Sequence, residues 1–461
     1  MCNLNGIIGR IIYYIVSKDA ATMSYEGVDV VRSNGRTVER FYLNKADKIA
    51  TDSYLNAAKN NFSAEFLSRL NDTRNKLLNN LVIDVKKNEN HMLKEDITVY
   101  TGLSGLVVLY LRIANEGDKF LYLKDIALNY VNKACKNDKY MSRIASRPTF
   151  LCGIAGPLAI KATISPELSD TSVVPDEVDS RKCVETLVQI LTTVTHDDNI
   201  PNELLYGRAG YLYALLYVKN KASNSISSVI SNESIKNLAL SIIDRGMKYA
   251  KQNKLSVPMW WHWHDKEYIG AAHGICGILL MLLSASQFIP EELLTSHLKP
   301  TLDYLVSLQY PSGNFPSSVS GHGMPTNDKL LHWCHGAPGV IYLLIKAHAI
   351  WPNNEDSYLK RARQCGDTIW KRGLLKKGYG ICHGVSGNAY AFVALWNATH
   401  EPKYLQKVAL FAEWCCEYGK RGCRVPDRPL SLFEGVAGVI YLLTDLIQDP
   451  SLSKFPAFSD L

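Results

Sequence analysis

The sequence predicts an all-α fold, an α/α toroid in which seven inner helices are surrounded by seven outer helices. Two observations predict this fold. A Gly-x-x-Gly pair recurs with first glycines 48 to 67 residues apart, at Gly102, Gly153, Gly207, Gly274, Gly336, Gly384 and Gly435. Between these pairs, apolar segments alternate with segments that carry charges on one face. Such regular recurrence is typical of repeat architectures, in which each unit buries its apolar face against the next.

The apolar segments that follow most glycine pairs are predicted to be the inner helices. A helix that is apolar on all sides is buried. Glycine at its start permits a sharp turn and a close approach of backbones. The clearest segments of this kind are residues 106–114, 211–218, 278–284, 340–350 and 439–447.

The charged segments are predicted to be the outer helices, which are exposed on one side. Their apolar positions recur at three- and four-residue intervals, as an amphipathic helix requires. We expect these helices over residues 66–85, 120–135, 181–194, 235–250, 291–308, 358–370 and 404–418.

Seven such pairs could also stack as an open α-solenoid. That arrangement needs polar capping repeats at both ends. Here the last unit ends on an apolar helix with almost no chain left to cover it. We therefore expect a closed ring.

Composition is that of an ordinary globular protein. The 461 residues are 47% hydrophobic, and the net charge of +7 comes from 51 basic and 44 acidic residues spread along the chain. A nucleic-acid partner is not expected, because such binders cluster their basic residues. We expect one domain over residues 37–461, preceded by a poorly ordered extension over residues 1–36.

Cysteine usage predicts a cytoplasmic protein. The 11 cysteines are odd in number, and several lie in apolar helical segments, so reduced thiols fit better than a disulfide framework. The apolar stretch 6–16 is too short to span a bilayer. Membrane association would be peripheral at most, and a nuclear location is a further alternative.

Two cysteines and a histidine form the strongest candidate site. Cys334 and Cys382 each stand two residues before the first glycine of their unit, and His383 follows Cys382. If the inner helices converge, these three side chains meet, and thiolate and imidazole are the ligands that zinc prefers. The alternative is two buried cysteines and a core histidine, but their matched positions favour a metal site.

Two further histidines and a glutamate are candidates for proton transfer. His273 and His335 stand directly before a first glycine, in the position of His383. A histidine is a natural proton donor or acceptor near neutral pH, although both could instead cap a helix or pack in the core. Glu203, four residues before Gly207, could reach the same place or form a surface ion pair.

At this point the motifs resemble those of the eukaryotic LanC-like proteins, relatives of the bacterial lanthionine synthetase cyclases. The similarity covers about residues 40 to 448 and is carried by several motifs. They are Glu203-Leu-Leu-Tyr-Gly-Arg-Ala-Gly, Gly270-Ala-Ala-His-Gly, Pro311-Ser-Gly-Asn-Phe-Pro-Ser-Ser, Trp333-Cys-His-Gly-Ala-Pro-Gly, Lys376-Lys-Gly-Tyr-Gly-Ile-Cys-His-Gly, Gly387-Asn-Ala-Tyr and Ser431-Leu-Phe-Glu-Gly.

The resemblance implies an α/α toroid with one catalytic zinc on Cys334, Cys382 and His383. It implies that His273 is an acid/base and that Glu203 is the counterpart of a catalytic aspartate. His335 stands where the bacterial enzymes often have another residue type. It also implies that the carboxylates of glutathione are held by Lys377, Arg424 and Arg40. Without the resemblance, these three cations would be interpreted as solvated side chains.

The implied activity is zinc-dependent transfer of glutathione to dehydroalanine or dehydrobutyrine in proteins, by Michael addition and with formation of a thioether. One alternative is a non-catalytic glutathione-binding adaptor, with signalling kinases as partners. Another is a zinc toroid of the prenyltransferase kind, but that ring has six helix pairs and an aspartate ligand.

Overall fold

Outer and inner helices alternate along the chain. A computed structural model describes residues 27–31, 37–44, 51–164, 177–319, 328–352 and 355–461. Fourteen helices of nine residues or more lie in these ranges. They are α1 Ala64–Glu95, α2 Leu103–Ala114, α3 Tyr122–Cys135, α4 Ala155–Thr163, α5 Glu177–Gln189, α6 Arg208–Lys221, α7 Asn232–Gln252, α8 Ile275–Ser284, α9 Lys299–Ser307, α10 Ala337–Ile350, α11 Glu355–Arg372, α12 Val385–Thr399, α13 Pro402–Cys416 and α14 Val436–Gln448.

The even-numbered helices form a closed inner ring. Each contacts the next even-numbered helix, and the last, α14, packs against α2 and also against the first outer helix, α1. The inner helices are almost entirely buried, whereas the odd-numbered helices expose one face. The protein is therefore an α/α toroid of seven helix pairs, as predicted. It is not an open solenoid, and it has one more pair than a prenyltransferase ring.

Two outer helices are less regular than the sequence suggests. The segment expected at 181–194 divides at Ile190 into α5 and a short helix, Leu191–His196. The segment expected at 291–308 begins with Glu291–Leu293 and a π-helical turn, Leu294–Leu298, before α9. Pro300 explains that turn, because proline lacks an N–H and its ring clashes with the carbonyl four residues earlier.

A circle of backbone hydrogen bonds joins the seven segments that precede the inner helices. In six of these segments a backbone N–H donates to a carbonyl of the next segment at 2.8 to 3.5 Å. The circle closes through a side chain, where Thr149 Oγ1 donates to the Leu205 carbonyl at 2.6 Å. The inner helices therefore all begin at one end of the toroid, here called the mouth. The residues joined in this way are Leu204, Ala272, Cys334, Cys382, Phe433, Tyr100 and Leu151.

Close packing at the inner-helix starts requires glycine. At Gly339, a Cβ atom would lie 2.2 Å from the Trp333 carbonyl oxygen and 2.8 Å from Ala271 Cβ. Both separations are far below van der Waals contact, so a side chain would force two neighbouring units apart. This explains the second glycine of the repeated pair.

Short strands bring distant segments to the mouth. The antiparallel pair β1 Gly27–Val31 and β2 Thr37–Tyr42 lies near the N-terminus, and β3 Glu267–Tyr268 pairs with β4 Ser318–Val319. Of the predicted extension over residues 1–36, only β1 lies within the described residues.

No helix in the described ranges is long and apolar enough to cross a membrane.

The C-terminal segment fills the centre of the ring. Phe455 and Phe458 are fully buried there. Phe455 stacks on Trp333 with ring centroids 5.2 Å apart, and it also meets Tyr342 and Tyr390 of the inner helices. Since Trp333 precedes Cys334 in the sequence, this aromatic cluster packs against the residue next to a candidate metal ligand.

Replacing Phe455 with alanine should lower the free energy of unfolding by about 3–5 kcal/mol, the usual cost of emptying a buried phenylalanine site. Denaturant unfolding measures the loss. Leu452→Ala is a matched control, because Leu452 is 71% exposed in the same segment and should change stability little. Equal stability of the two variants would show that the C-terminal segment does not pack in the ring.

Candidate functional site

Two sulfurs and an imidazole meet at the mouth. The ligand atoms of Cys334, Cys382 and His383 all lie within 4.8 Å of one another; these three residues are called the metal cluster. Cys334 and Cys382 are neighbours in the backbone circle, where the Cys334 N–H donates to the Cys382 carbonyl at 3.4 Å. The closed ring therefore joins ligands that are 48 residues apart in sequence.

Hydrogen bonds polarise the two sulfurs differently. The Tyr100 hydroxyl donates to Cys382 Sγ at 2.7 Å. The pKa of Cys334 lies well below its ordinary value because the Cys382 thiol donates a hydrogen bond to it, with further hydrogen bonds from His332 and His383. Burial raises the pKa of Cys382, and its hydrogen bond to Cys334 raises it further. Cys382 is therefore the hydrogen-bond donor between the two sulfurs, and Cys334 is the acceptor.

The donor set fits zinc. Two cysteine sulfurs and one histidine nitrogen make up a familiar three-residue ligand set for that ion, and a catalytic site keeps the fourth position open. Two of the three residues are buried and the third, His383, is partly exposed toward the mouth. The cluster can therefore hold a metal that a ligand could still reach.

A carboxylate holds the neighbouring histidine. Glu203 Oε2 lies 2.8 Å from His273 Nδ1, and the carboxylate also accepts hydrogen bonds from the backbone N–H groups of Leu205 at 2.9 Å and Tyr206 at 2.5 Å. Glu203 is fully buried. Because an ionised carboxylate can only accept, Nδ1 of His273 carries the proton and Nε2 is left to face a ligand.

Aromatic rings enclose His273. Trp263 stacks on its imidazole with centroids 4.2 Å apart, and Tyr206 lies parallel to it at 6.0 Å. Trp263 stands at the end of a two-residue hairpin, hydrogen-bonded to Lys266 in both directions. The two central residues have positive φ angles of 46° and 56°, which matches the tight turn whose twist suits a hairpin.

His335 lies beside this pair. Its ring centroid is 6.3 Å from that of His273, and it also faces Tyr268 of β3 at 5.8 Å. Burial lowers the pKa of His335, so the imidazole is neutral at pH 7. Nδ1 is buried without a hydrogen-bond partner in the described part of the chain.

A cationic pocket opens next to the metal cluster. Its cavity has a volume of about 290 Å³, and no carboxylate lies among the described residues that line it. His332 is in its wall and is hydrogen-bonded to Cys334, so the pocket and the cluster share a boundary. The cationic lining residues are Arg40, Lys329, Arg372, Lys376, Lys377 and Arg424.

Backbone pairing builds this pocket from three distant segments. The Lys376 N–H donates to the Arg40 carbonyl at 3.0 Å, and the Arg424 N–H donates to the Lys376 carbonyl at 2.8 Å. Strand β2 is further held by the Tyr42 N–H, which donates to the Leu374 carbonyl. The predicted cations Arg40, Lys377 and Arg424 are therefore brought together, with Lys377 and Arg424 exposed to solvent.

Two residues of the site were not among the sequence predictions. Tyr100 stands two residues before a first glycine, as Cys334 and Cys382 do, and His332 stands four residues before one, as Glu203 does. The repeat positions that identified the predicted residues also apply to these two. Comparing all seven units at those positions would have found them.

Comparisons with known proteins agree with this architecture. The family model described as Lanthionine synthetase C-like protein matches residues 94–459. Glutathione S-transferase LANCL1 of Danio rerio is 41% identical over 366 residues, which are 79% of this chain and 85% of that protein. The solved structure of nisin cyclase is similar with a TM-score of 0.62 at 16% identity, covering 82% of this chain and 100% of the cyclase. The chain belongs to the lanthionine synthetase C-like family.

Proposed function

We propose that this protein is a zinc-dependent glutathione transferase that adds the glutathione thiol to dehydroalanine or dehydrobutyrine residues in proteins. The observation that carries this proposal is the shared wall between the cationic pocket and the metal cluster. An anionic thiol peptide held in that pocket would have its sulfur beside Cys334. The name of the Danio rerio relative, a glutathione S-transferase, supports the same ligand.

The chain's side chains have separate roles in this reaction. Lys377, Arg424 and Arg40 bind the two carboxylates of the tripeptide by charge-assisted hydrogen bonds, which are stronger than neutral ones. Cys334, Cys382 and His383 would hold zinc, which, when bound, supplies a Lewis acid that keeps a thiol in its thiolate form.

Proton transfer completes the addition. The new S–C bond forms at the β-carbon of the dehydroamino acid, the double bond opens toward the carbonyl as an enolate, and the α-carbon then takes a proton. Nε2 of His273 can take the proton that the thiol loses, directly or by way of the neutral imidazole of His335, while Glu203 at Nδ1 stabilises the imidazolium that forms. His273 then gives that same proton from Nε2 to the α-carbon. The net change is addition of S–H across C=C, with no oxidant or reductant.

A direct test is to incubate zinc-loaded protein with glutathione and a dehydroalanine peptide and to follow the adduct by mass spectrometry. Thiols add to dehydroalanine unaided, so the measured quantity is the rate above that of a protein-free control. We expect a saturable acceleration. Protein that holds zinc and binds glutathione without accelerating the addition would refute the enzyme and favour the adaptor, whose partners would be signalling kinases.

Neutralising the cationic pocket should weaken glutathione binding. Lys377→Gln and Arg424→Gln are each expected to raise the dissociation constant about 3- to 10-fold, since 1.4 kcal/mol corresponds to tenfold and both side chains are exposed enough for solvent to screen them. Isothermal titration calorimetry measures the change.

Lys371→Gln is the matched control, because Lys371 is exposed at the end of α11 and does not line the pocket. Glutathione with esterified carboxylates should bind wild type and both pocket variants equally. Unequal binding of the ester, or an effect of Lys371→Gln as large as that of Lys377→Gln, would contradict carboxylate recognition by these cations.

A further inference from the structure

Tyr100 reaches from a different repeat unit to a metal-cluster sulfur. Its hydroxyl lies 2.7 Å from Cys382 Sγ and donates a hydrogen bond to it. Tyr100 begins the first unit, and Cys382 belongs to the sixth. Cys334, the other sulfur, is hydrogen-bonded to His332, so each sulfur of the cluster has a protein group hydrogen-bonded to it.

We propose that Tyr100 is a positioning residue for the metal ligand Cys382, whose sulfur it orients toward the cluster and from which it withdraws charge. This inference rests on the proposed function in so far as it takes the cluster to hold zinc.

The surroundings of Tyr100 keep its hydroxyl in place. The ring stacks on Phe433 with centroids 4.6 Å apart and an interplanar angle of 25°. The Tyr100 N–H donates to the Leu151 carbonyl at 2.9 Å, and the Tyr100 carbonyl accepts from the Phe433 N–H at 3.1 Å. Tyr100 is thus held on both sides within the backbone circle, with its hydroxyl hydrogen-bonded to Cys382 Sγ.

Cys382 is the sulfur that most needs such a donor. It is 1% exposed, and a buried charge is costly unless it is hydrogen-bonded. Groups that hydrogen-bond to metal ligands orient them and tune the metal, and their loss usually reduces metal affinity 10- to 100-fold. For Cys382, the group that hydrogen-bonds to the ligand is the Tyr100 hydroxyl.

The same bond distinguishes the protein's sulfurs from that of a substrate. A hydrogen bond to a thiolate lowers the charge available for attack on an electrophile. With Cys382 polarised by Tyr100 and Cys334 by His332, the two ligand sulfurs are poor nucleophiles. An incoming thiol that is not hydrogen-bonded in this way keeps its reactivity. The bond to the dehydroamino acid therefore forms at the glutathione sulfur and not at Cys334 or Cys382.

The test is Tyr100→Phe, which removes the hydroxyl and keeps the ring that stacks on Phe433. Zinc affinity, measured by competition with a chelator, should fall about 10- to 100-fold. In the cobalt(II)-loaded protein, the sulfur-to-cobalt charge-transfer band should move to lower energy, because the sulfur electrons lose the stabilisation of the hydrogen bond. Tyr211→Phe is the matched control: Tyr211 is a buried tyrosine that donates to the Leu187 carbonyl, away from the cluster.

Fluorotyrosine at position 100 gives the opposite test with almost no change of shape. Its hydroxyl is a stronger donor, so the band should move to higher energy, and this result would support the inference even if Tyr100→Phe failed to fold. Unchanged affinity and unchanged bands in metal-binding, folded variants would overturn the role of Tyr100. A wild-type protein that binds no zinc would instead refute the proposed function, and the inference with it.

Discussion

Cys334→Ala should abolish zinc binding and, with it, all acceleration of glutathione addition. Cys334 is the cluster sulfur with the lowered pKa, and hydrogen bonds from Cys382, His332 and His383 converge on it. Removing it leaves one sulfur and one imidazole, too few to hold zinc in a closed set of protein ligands. Affinity should fall by more than the 10- to 100-fold that follows the loss of an outer hydrogen bond.

Metal analysis of purified protein measures this directly, beside the rate of adduct formation. Cys276→Ala is the matched control, because Cys276 is an equally buried cysteine whose thiol donates to the Gly339 carbonyl, outside the cluster. It should keep its full zinc content. Retention of one zinc per chain by Cys334→Ala would mean that the metal lies elsewhere or that other residues hold it.

The parts of the site that could be predicted from the sequence are those that depend on the repeat. Equivalent residues of each unit lie at equivalent places around the ring, so Cys334 and Cys382 meet because both stand two residues before a glycine. Closure of the ring was predictable for a similar reason, since a last apolar helix has to be covered. For α14 that cover is supplied by α1 and α2.

Other parts depend on pairings that no local pattern specifies. Arg40 reaches the cationic pocket because β2 pairs with the backbone near Lys376, and only the family resemblance pointed to it. Trp263 covers His273 because a tight turn with two positive φ angles aims it there. The burial of Phe455 in the ring centre likewise depends on where the chain returns after α14.

His273→Ala should lower the turnover number by about 10²- to 10⁴-fold, the usual contribution of a positioned acid or base. Zinc content and glutathione affinity should stay near wild type, because His273 is neither in the metal cluster nor in the cationic pocket. Single-turnover kinetics with a dehydroalanine peptide separate the chemical step from binding. His262→Ala is the matched control, because His262 lies in the same loop as Trp263 but stacks on Tyr249, whereas His273 stacks on Trp263.

Glu203→Gln tests whether the carboxylate acts through His273. An amide in place of the carboxylate can present an N–H to Nδ1 and so favour the wrong imidazole tautomer, as happens when the carboxylate of a catalytic triad is replaced. We expect turnover to fall by at least tenfold in Glu203→Gln and no further in the double variant with His273→Ala than in His273→Ala alone. Independent, multiplying losses would show instead that Glu203 has a role of its own, separate from holding the histidine.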